Sequence, residues 1–196
     1  MRAAANFAWA NRQAITHAVR AAFARIFARD PAALGMSLLY DVAHNIAKVE
    51  QHADDGDRMD VVVHRKGATR SFPAHHPDVP LPYQDVGRPV LIPGDMGRYS
   101  FLCVGAEGAM RETFGSTCHG AGRRQSRHAA LREQRGVDIV GQLRAKGTTV
   151  RVTDRRLLGE EASSAYKDVA AVVEVCDRAG IARKVARMRP LIVVKG

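Results

Sequence analysis

At 196 residues with 46% apolar side chains, the chain can bury a sizeable core, and 30 Lys and Arg against 20 acidic residues leave it at +10. A pI near 10.2 points to a polyanionic partner, nucleic acid first, while one Trp, four Tyr and six Phe exclude a single-strand stacking platform. Three cysteines, odd in number and without a CxxC pair, exclude a disulfide framework and a zinc ribbon and suit a reducing, cytoplasmic compartment, and no apolar run reaches the roughly 18 residues of a membrane span.

Ile15, Val19, Ala22, Phe23 and Ile26 fall at helical spacing, with Arg12, Arg20 and Arg25 on other faces, which predicts a helix ending before Asp30-Pro31. Residues 1–29 are Ala- and Arg-rich with no acid, a composition shared with mitochondrial transit peptides. In LLYDVAHNIAKVE, residues 38–50, Asp41, His44, Asn45 and Lys48 recur at three and four, which predicts an apolar helix with a polar stripe. His44 on such a stripe is either a ligand or a hydrogen-bonded core histidine. The β-branched run Val61–Val63 predicts a strand leading into the basic turn His64-Arg65-Lys66-Gly67, a phosphate contact or a solvated hairpin. Five prolines and no periodicity make residues 73–89 a loop, with His75 and His76 at the surface.

Residues 89–105 read as two strands around a Gly94-Asp95-Met96-Gly97 turn, and AEGAMRETF as a short helix. GSTCHGAGR follows, residues 115–123. Gly120 and Gly122 let the backbone approach a ligand closely, and successive N–H groups there would form an anion-binding nest. RRQSRHAALREQ has helical spacing, so the nest would open onto a helix N-terminus with Arg123 and Arg127 four apart on one face. His119 is then a nucleophile or ligand beside a phosphate cradle, or a structural residue of a glycine-rich turn; the turn chemistry leaves both open. Beyond it lie a strand at 148–152, a helix over 166–180 closed by Gly180, the basic run Ala182–Arg189, and a last strand after Pro190. Helices and strands mix without regular βαβ alternation, so the fold class is α+β in one domain, 1–196, with 73–89 as a loop within it.

GSTCHGAGR, together with YDVAHNIAKVE, HRKGATR, LIPGDMG, SAYKDV, PLIVVKG and RAAANFAWANRQ at the start, resembles the RtcB family of RNA ligases over nearly the whole chain. The resemblance implies the C-terminal part of that fold and a GTP- and manganese-dependent joining of RNA 3′-phosphate, or 2′,3′-cyclic phosphate, to 5′-hydroxyl ends through a histidine–GMP phosphoramidate. It implies His119 as the guanylylated nucleophile and His44 as a manganese ligand. Ala121 and Gly122 match backbone phosphate contacts, while Ser100, Tyr166 and Lys195 match groups around the guanine. Lys66, Arg123 and Arg127 match basic residues near nucleotide or RNA phosphates. Asp95 stands where a small hydroxyl is expected, so it would alter a nucleotide contact. The other manganese ligands of the family lie upstream of the position matching Met1, which makes residues 1–29 a mid-chain helix rather than a leader. The expected partners are RNA and either the N-terminal part of the ligase or a second copy. Two other readings stand beside this one: a basic remnant that binds RNA or a partner without chemistry, and a metallohydrolase using His44, His75, His76 and His119.

Overall fold

A computed structural model describes residues 2–54 and 56–195, with the side chains of 54, 155, 156 and 195 outside the description. Its contacts fall into two compact units, 1–66 and 67–196.

The first unit holds helix α1 (Arg2–Phe27) and a hairpin of β1 (Asn45–Asp54) and β2 (Asp57–Lys66). The helix forms as its Ala-rich sequence dictates. Its apolar stripe, however, faces outward: Ile15 is 54% and Ile26 70% exposed, and Ala5 is the buried residue. Arg12 Nε donates to Asp41 Oδ1 at 2.6 Å, and Arg20 reaches the Met36 carbonyl from both Nε and Nη2, so the irregular segment after the helix is fastened along it.

The helix expected over residues 38–50 does not form. Residues 38–44 are irregular and Asn45 opens β1, which pairs with β2 antiparallel over ten residues, from Asn45 opposite Lys66 to Asp54 opposite Asp57. The spacing that suggested a helical stripe also contains a period of two, in which Glu50 and His52 point to one face with Val61, Val63 and Arg65. Cross-strand pairing with the β-branched run decides between the two periods. Arg65 meets Glu50 with two bonds of 2.7 and 2.8 Å, and His52 Nε2 lies 3.3 Å from the same carboxylate, so the charges buried in the hairpin are paired. The basic residues His64 to Lys66 therefore belong to the strand, and the turn is at Gly67.

The second unit is built on the antiparallel sheet β4 (Pro89–Pro93), β5 (Ser100–Gly105) and β8 (Ala182–Met188). Helix α6 (Val169–Arg178) lies on it and buries Val169, Val173 and Cys176 against Val90, Ile92, Phe101 and Cys103. Asp168 caps this helix by accepting from Ala170 N at 2.8 Å, so Tyr166 lies before the helix in extended backbone, and Gly180 closes it in a left-handed turn. The basic run that follows α6 is strand β8, exposed after Ala182. A second apolar cluster joins Met96, Leu143, Val150 and Leu158, where α4 (Ile139–Ala145) and α5 (Arg155–Glu160) flank the parallel pair β7 (Thr149–Val152) and β9 (Ile192–Lys195). Helix α2 (Glu107–Thr113) leads into β6 (Ser116–Cys118), which pairs with β3 (Ala68–Arg70) and ends at His119. Helix α3 (Arg127–Glu133) starts after Ser126, whose Oγ accepts from Ala129 N. Helices and small sheets thus mix as an α+β fold. No helix among the described residues is long and apolar enough to cross a membrane.

Candidate active site

His119 leaves β6 half-buried, with its N–H donating to the Gly67 carbonyl at 2.9 Å. Two residues on, the buried Ala121 donates its N–H to Pro93 O at 2.9 Å. The loop then turns through Gly122, at φ 75°, into an antiparallel bridge between Arg123 and Tyr166 in which Lys167 N–H donates to Gly122 O and Arg124 N–H to Ala165 O. Gly122 supplies the left-handed backbone that a side chain would resist, and an added Cβ there would meet nothing within 4 Å, so that face of the loop is open. The run of free N–H groups expected for a nest is thinner than the sequence suggested, because His119 and Ala121 spend theirs inside the fold. The nest also does not open onto a helix: four residues separate Gly122 from the first residue of α3.

Arg123 is consequently not on that helix. Its guanidinium donates to Tyr166 Oη at 2.7 Å, to Glu161 Oε1 at 3.1 Å and to the Glu160 carbonyl, while its Nε donates to Gln125 O at 3.3 Å and its plane lies 4.8 Å from the Tyr166 ring centre. The Tyr166 hydroxyl in turn donates to Glu161. Burial, then the Glu161 carboxylate, push the Tyr166 phenol up to about 12. Arg127, exposed at the start of α3, lies 3.5 Å from Glu160 Oε2, so the two arginines meet through the acid pair Glu160-Glu161 and not along a helix face.

Tyr166 and Glu161 form one wall of a cleft of about 150 Å³ whose other lining residues are Pro93, Gly94, Asp95, Met96 and Ser100. Three of the residues expected around a nucleotide, Ser100, Tyr166 and Asp95, thus share one cleft, and the bond from Ala121 to Pro93 ties the His119 loop to its rim. The volume is below the roughly 300–1,000 Å³ of a complete ligand pocket. Asp95 borders it with a side chain that is 0% exposed: its carboxylate takes Arg98 Nε at 2.5 Å, Gly97 N–H at 3.0 Å and the Ser163 hydroxyl. Arg98 also donates to the carbonyls of Ser163 and Tyr166. Asp95 therefore clamps the turn to the Tyr166 segment, and its oxygens are occupied in doing so.

His44 and Lys66 belong to the first unit, where both are exposed, His44 just before β1 and Lys66 at the end of β2. Lys195 pairs by its backbone opposite Val152 in β9, and its side chain lies outside the described residues. His75 is exposed in the proline loop, while His76 stacks on Phe72 at 4.1 Å. Among the described residues no three His, Cys, Asp or Glu side chains come together as a metal site. The residues at hand thus offer manganese one exposed imidazole and no ligand set, the ion does not fit as a resident group of this stretch, and no step below is routed through it. The four-histidine metallohydrolase draws no support from this arrangement.

The sequence model described as tRNA-splicing ligase RtcB matches residues 1–196. The chain belongs to the RtcB family. It is 60% identical over its whole length to the tRNA-splicing ligase RtcB of Pyrococcus abyssi, covering 21% of that protein, and 60% identical to that of Thermococcus kodakarensis, covering 41%. The RNA-splicing ligase RtcB homolog 1 of Entamoeba dispar is 48% identical over all of this chain, which covers 37% of it. The chain therefore spans between a fifth and two fifths of the curated RtcB relatives it matches. Within this RtcB segment, Glu161 and Arg98 were missed from the sequence. The acid pair in GEEASS, five residues before Tyr166, was the signal for Glu161; for Arg98 it was the i,i+3 spacing from Asp95, while its other partners, the carbonyls of Ser163 and Tyr166, lie more than sixty residues away.

Proposed function

We propose that this stretch carries the nucleophile and part of the nucleotide cleft of a GTP-dependent RNA ligase that joins RNA 3′-phosphate or 2′,3′-cyclic phosphate ends to 5′-hydroxyl ends. The observation that carries the reading is the juxtaposition of the His119 loop with the cleft lined by Ser100 and Tyr166, in a chain 60% identical throughout to tRNA-splicing ligases. An imidazole nitrogen of His119 attacks the α-phosphorus of GTP, a P–N bond forms, and the bond to the bridging oxygen breaks with release of pyrophosphate. The guanylyl group then passes to the RNA 3′-phosphate, and the 5′-hydroxyl displaces GMP to seal the strand.

Each residue has a task in that sequence. The bonds from His119 N–H and Ala121 N–H hold the nucleophile's backbone on both sides, so little orientational freedom is lost at attack. Ser100 and Tyr166 face the base, a role that Lys195 shares by resemblance alone, Ala121 and Gly122 bring backbone close to the phosphates, and Arg123 fixes the Tyr166 ring rather than touching phosphate. Asp95 holds the cleft's turn. Arg127 and Lys66, both exposed, attract RNA or triphosphate charge. His44, exposed before β1, is the residue that the family resemblance sets beside manganese, an ion this stretch by itself offers no ligand set. The part of the relatives that this chain does not span, or a second copy, is the protein partner, and the three free thiols suit the cytoplasm.

The test is incubation with α-labelled GTP and manganese, with the N-terminal part of a longer relative supplied as a separate chain. The expected product is a label on His119, stable to alkali and labile to acid, with a mass gain of roughly 345 Da and its loss in His119→Ala. No label with both parts present overturns the reading. The exposed basic strand β8 favours a second reading, RNA binding without chemistry, which predicts salt-sensitive RNA affinity and no guanylylation.

A further inference from the structure

One pair of nucleophilic side chains lies beside the candidate site without entering its chemistry. Cys118, the last residue of β6 and the neighbour of His119, places its Sγ 3.7 Å from Sγ of Cys176 on α6. The two are 58 positions apart in the chain. We propose that Cys118 and Cys176 are a reversible oxidation site, closing to a disulfide under a peroxide and staple the strand that carries His119 to helix α6.

The geometry is that of a pair poised to close. The sulfurs, 3.7 Å apart, need to approach by roughly 1.7 Å to reach the 2.05 Å of a disulfide. Both residues sit in the same apolar cluster, Cys118 half-buried and Cys176 8% exposed, so the third cysteine is the natural comparison. Cys103 is 0% exposed in the middle of β5, and burial pushes its thiol up to about 11. Cys176 moves the other way, downward, first through its hydrogen bond with Cys118 and with help from the Thr117 hydroxyl 3.7 Å away. Cys118, which shares that bond, is raised. One thiol of the pair is therefore the nucleophile and the other the resolving group.

The reaction balances with hydrogen peroxide as oxidant. The Cys176 thiolate attacks one peroxide oxygen, an S–O bond forms, the O–O bond breaks, and hydroxide leaves to become water on taking up a proton. Cys118 Sγ then attacks the sulfur of the sulfenic acid, the S–S bond forms, the S–O bond breaks, and the second hydroxide leaves with the Cys118 proton as water. Two thiols are oxidised by two electrons and one peroxide is reduced to two waters; a dithiol reverses the change by exchange.

The site is read chemically and stands or falls independently of the ligase reading. The full chain is treated with stoichiometric hydrogen peroxide, its thiols are counted with a chromogenic disulfide reagent, and its peptides are mapped by mass spectrometry without reduction. The expected result is loss of two of the three thiols, a mass decrease of about 2 Da, a Cys118–Cys176 crosslinked peptide, and recovery of all three thiols with dithiothreitol. Amides of 116–122 should then exchange more slowly in the oxidised chain, because both ends of the loop's strand are tied. In Cys118→Ser the sulfenic acid on Cys176 should persist and react with dimedone, while Cys103→Ser should crosslink as the parent does. Three thiols surviving treatment, a crosslink through Cys103, or disulfides only between separate chains would overturn the proposal.

Discussion

Tyr166 is the residue on which the cleft turns. Its hydroxyl sits between a cation and an anion, taking a bond from Arg123 and giving one to Glu161, while the ring carries the arginine on its face. Its folded pKa of about 12 lies above the ordinary 10.0, so the folded state favours the protonated phenol. That contribution to stability is fully present below about 10 and is lost as the pH rises from about 10 to about 12. Glu161→Gln removes the carboxylate that disfavours phenolate, so we expect the Tyr166 titration, followed by phenolate absorbance, to move down towards 10. An unchanged titration would mean that burial alone sets it. Arg123→Ala should lower stability by about 1–3 kcal/mol in denaturant unfolding, because it strips partners from a half-buried carboxylate and carbonyl. The two side-chain partners of Arg123 could not be read from GSTCHGAGR, since Glu161 and Tyr166 are 38 and 43 positions away.

Elements show where local pattern sufficed and where it did not. The β4–β5 hairpin was legible because alternation and a Gly-Asp-Met-Gly turn agree, and α6 because its apolar period, Asp168 cap and Gly180 stop all coincide. Residues 45–54 were not, because polar residues at three and four spacing also alternate by two, and the arbiter is pairing with the strand Asp57–Lys66 that follows. We expect Glu50→Ala to cost about 3–5 kcal/mol by leaving Arg65 buried without its carboxylate, read as early loss of amide protection in 45–66. Protection of the amides in the 45–54 strand of the parent chain, in an alternating antiparallel pattern, is the direct check on the strand itself. In α6, Asp168→Ala should cost about 1 kcal/mol through the lost cap, whereas Val173→Ala, at 0% exposure, should cost about 2–3 kcal/mol through the cavity it leaves.

For the whole molecule the governing quantity is charge. With +10 on 196 residues, RNA affinity should fall steeply and linearly in log–log against salt, and Arg127→Ala should flatten the slope by about 0.7 for single strands while leaving the fold intact. A slope near zero in filter binding would remove RNA as the polyanion. Helix α1 turns Ile15 and Ile26 outward, and the chain spans a fifth to two fifths of its relatives. The amino-acid sequence by itself determined the family, the basic charge and every element whose signals are local, because these depend on residue type and short spacing. Only the tertiary structure decided that residues 45–54 are a strand, that Arg123 holds Tyr166, that Asp95 is a clamp, and that two distant thiols meet beside His119. Arg123 and Tyr166 are 43 positions apart, Asp95 and Ser163 68, and Cys118 and Cys176 58, so no local pattern carries these contacts, and pairing and burial across such separations select among the conformations the local sequence allows.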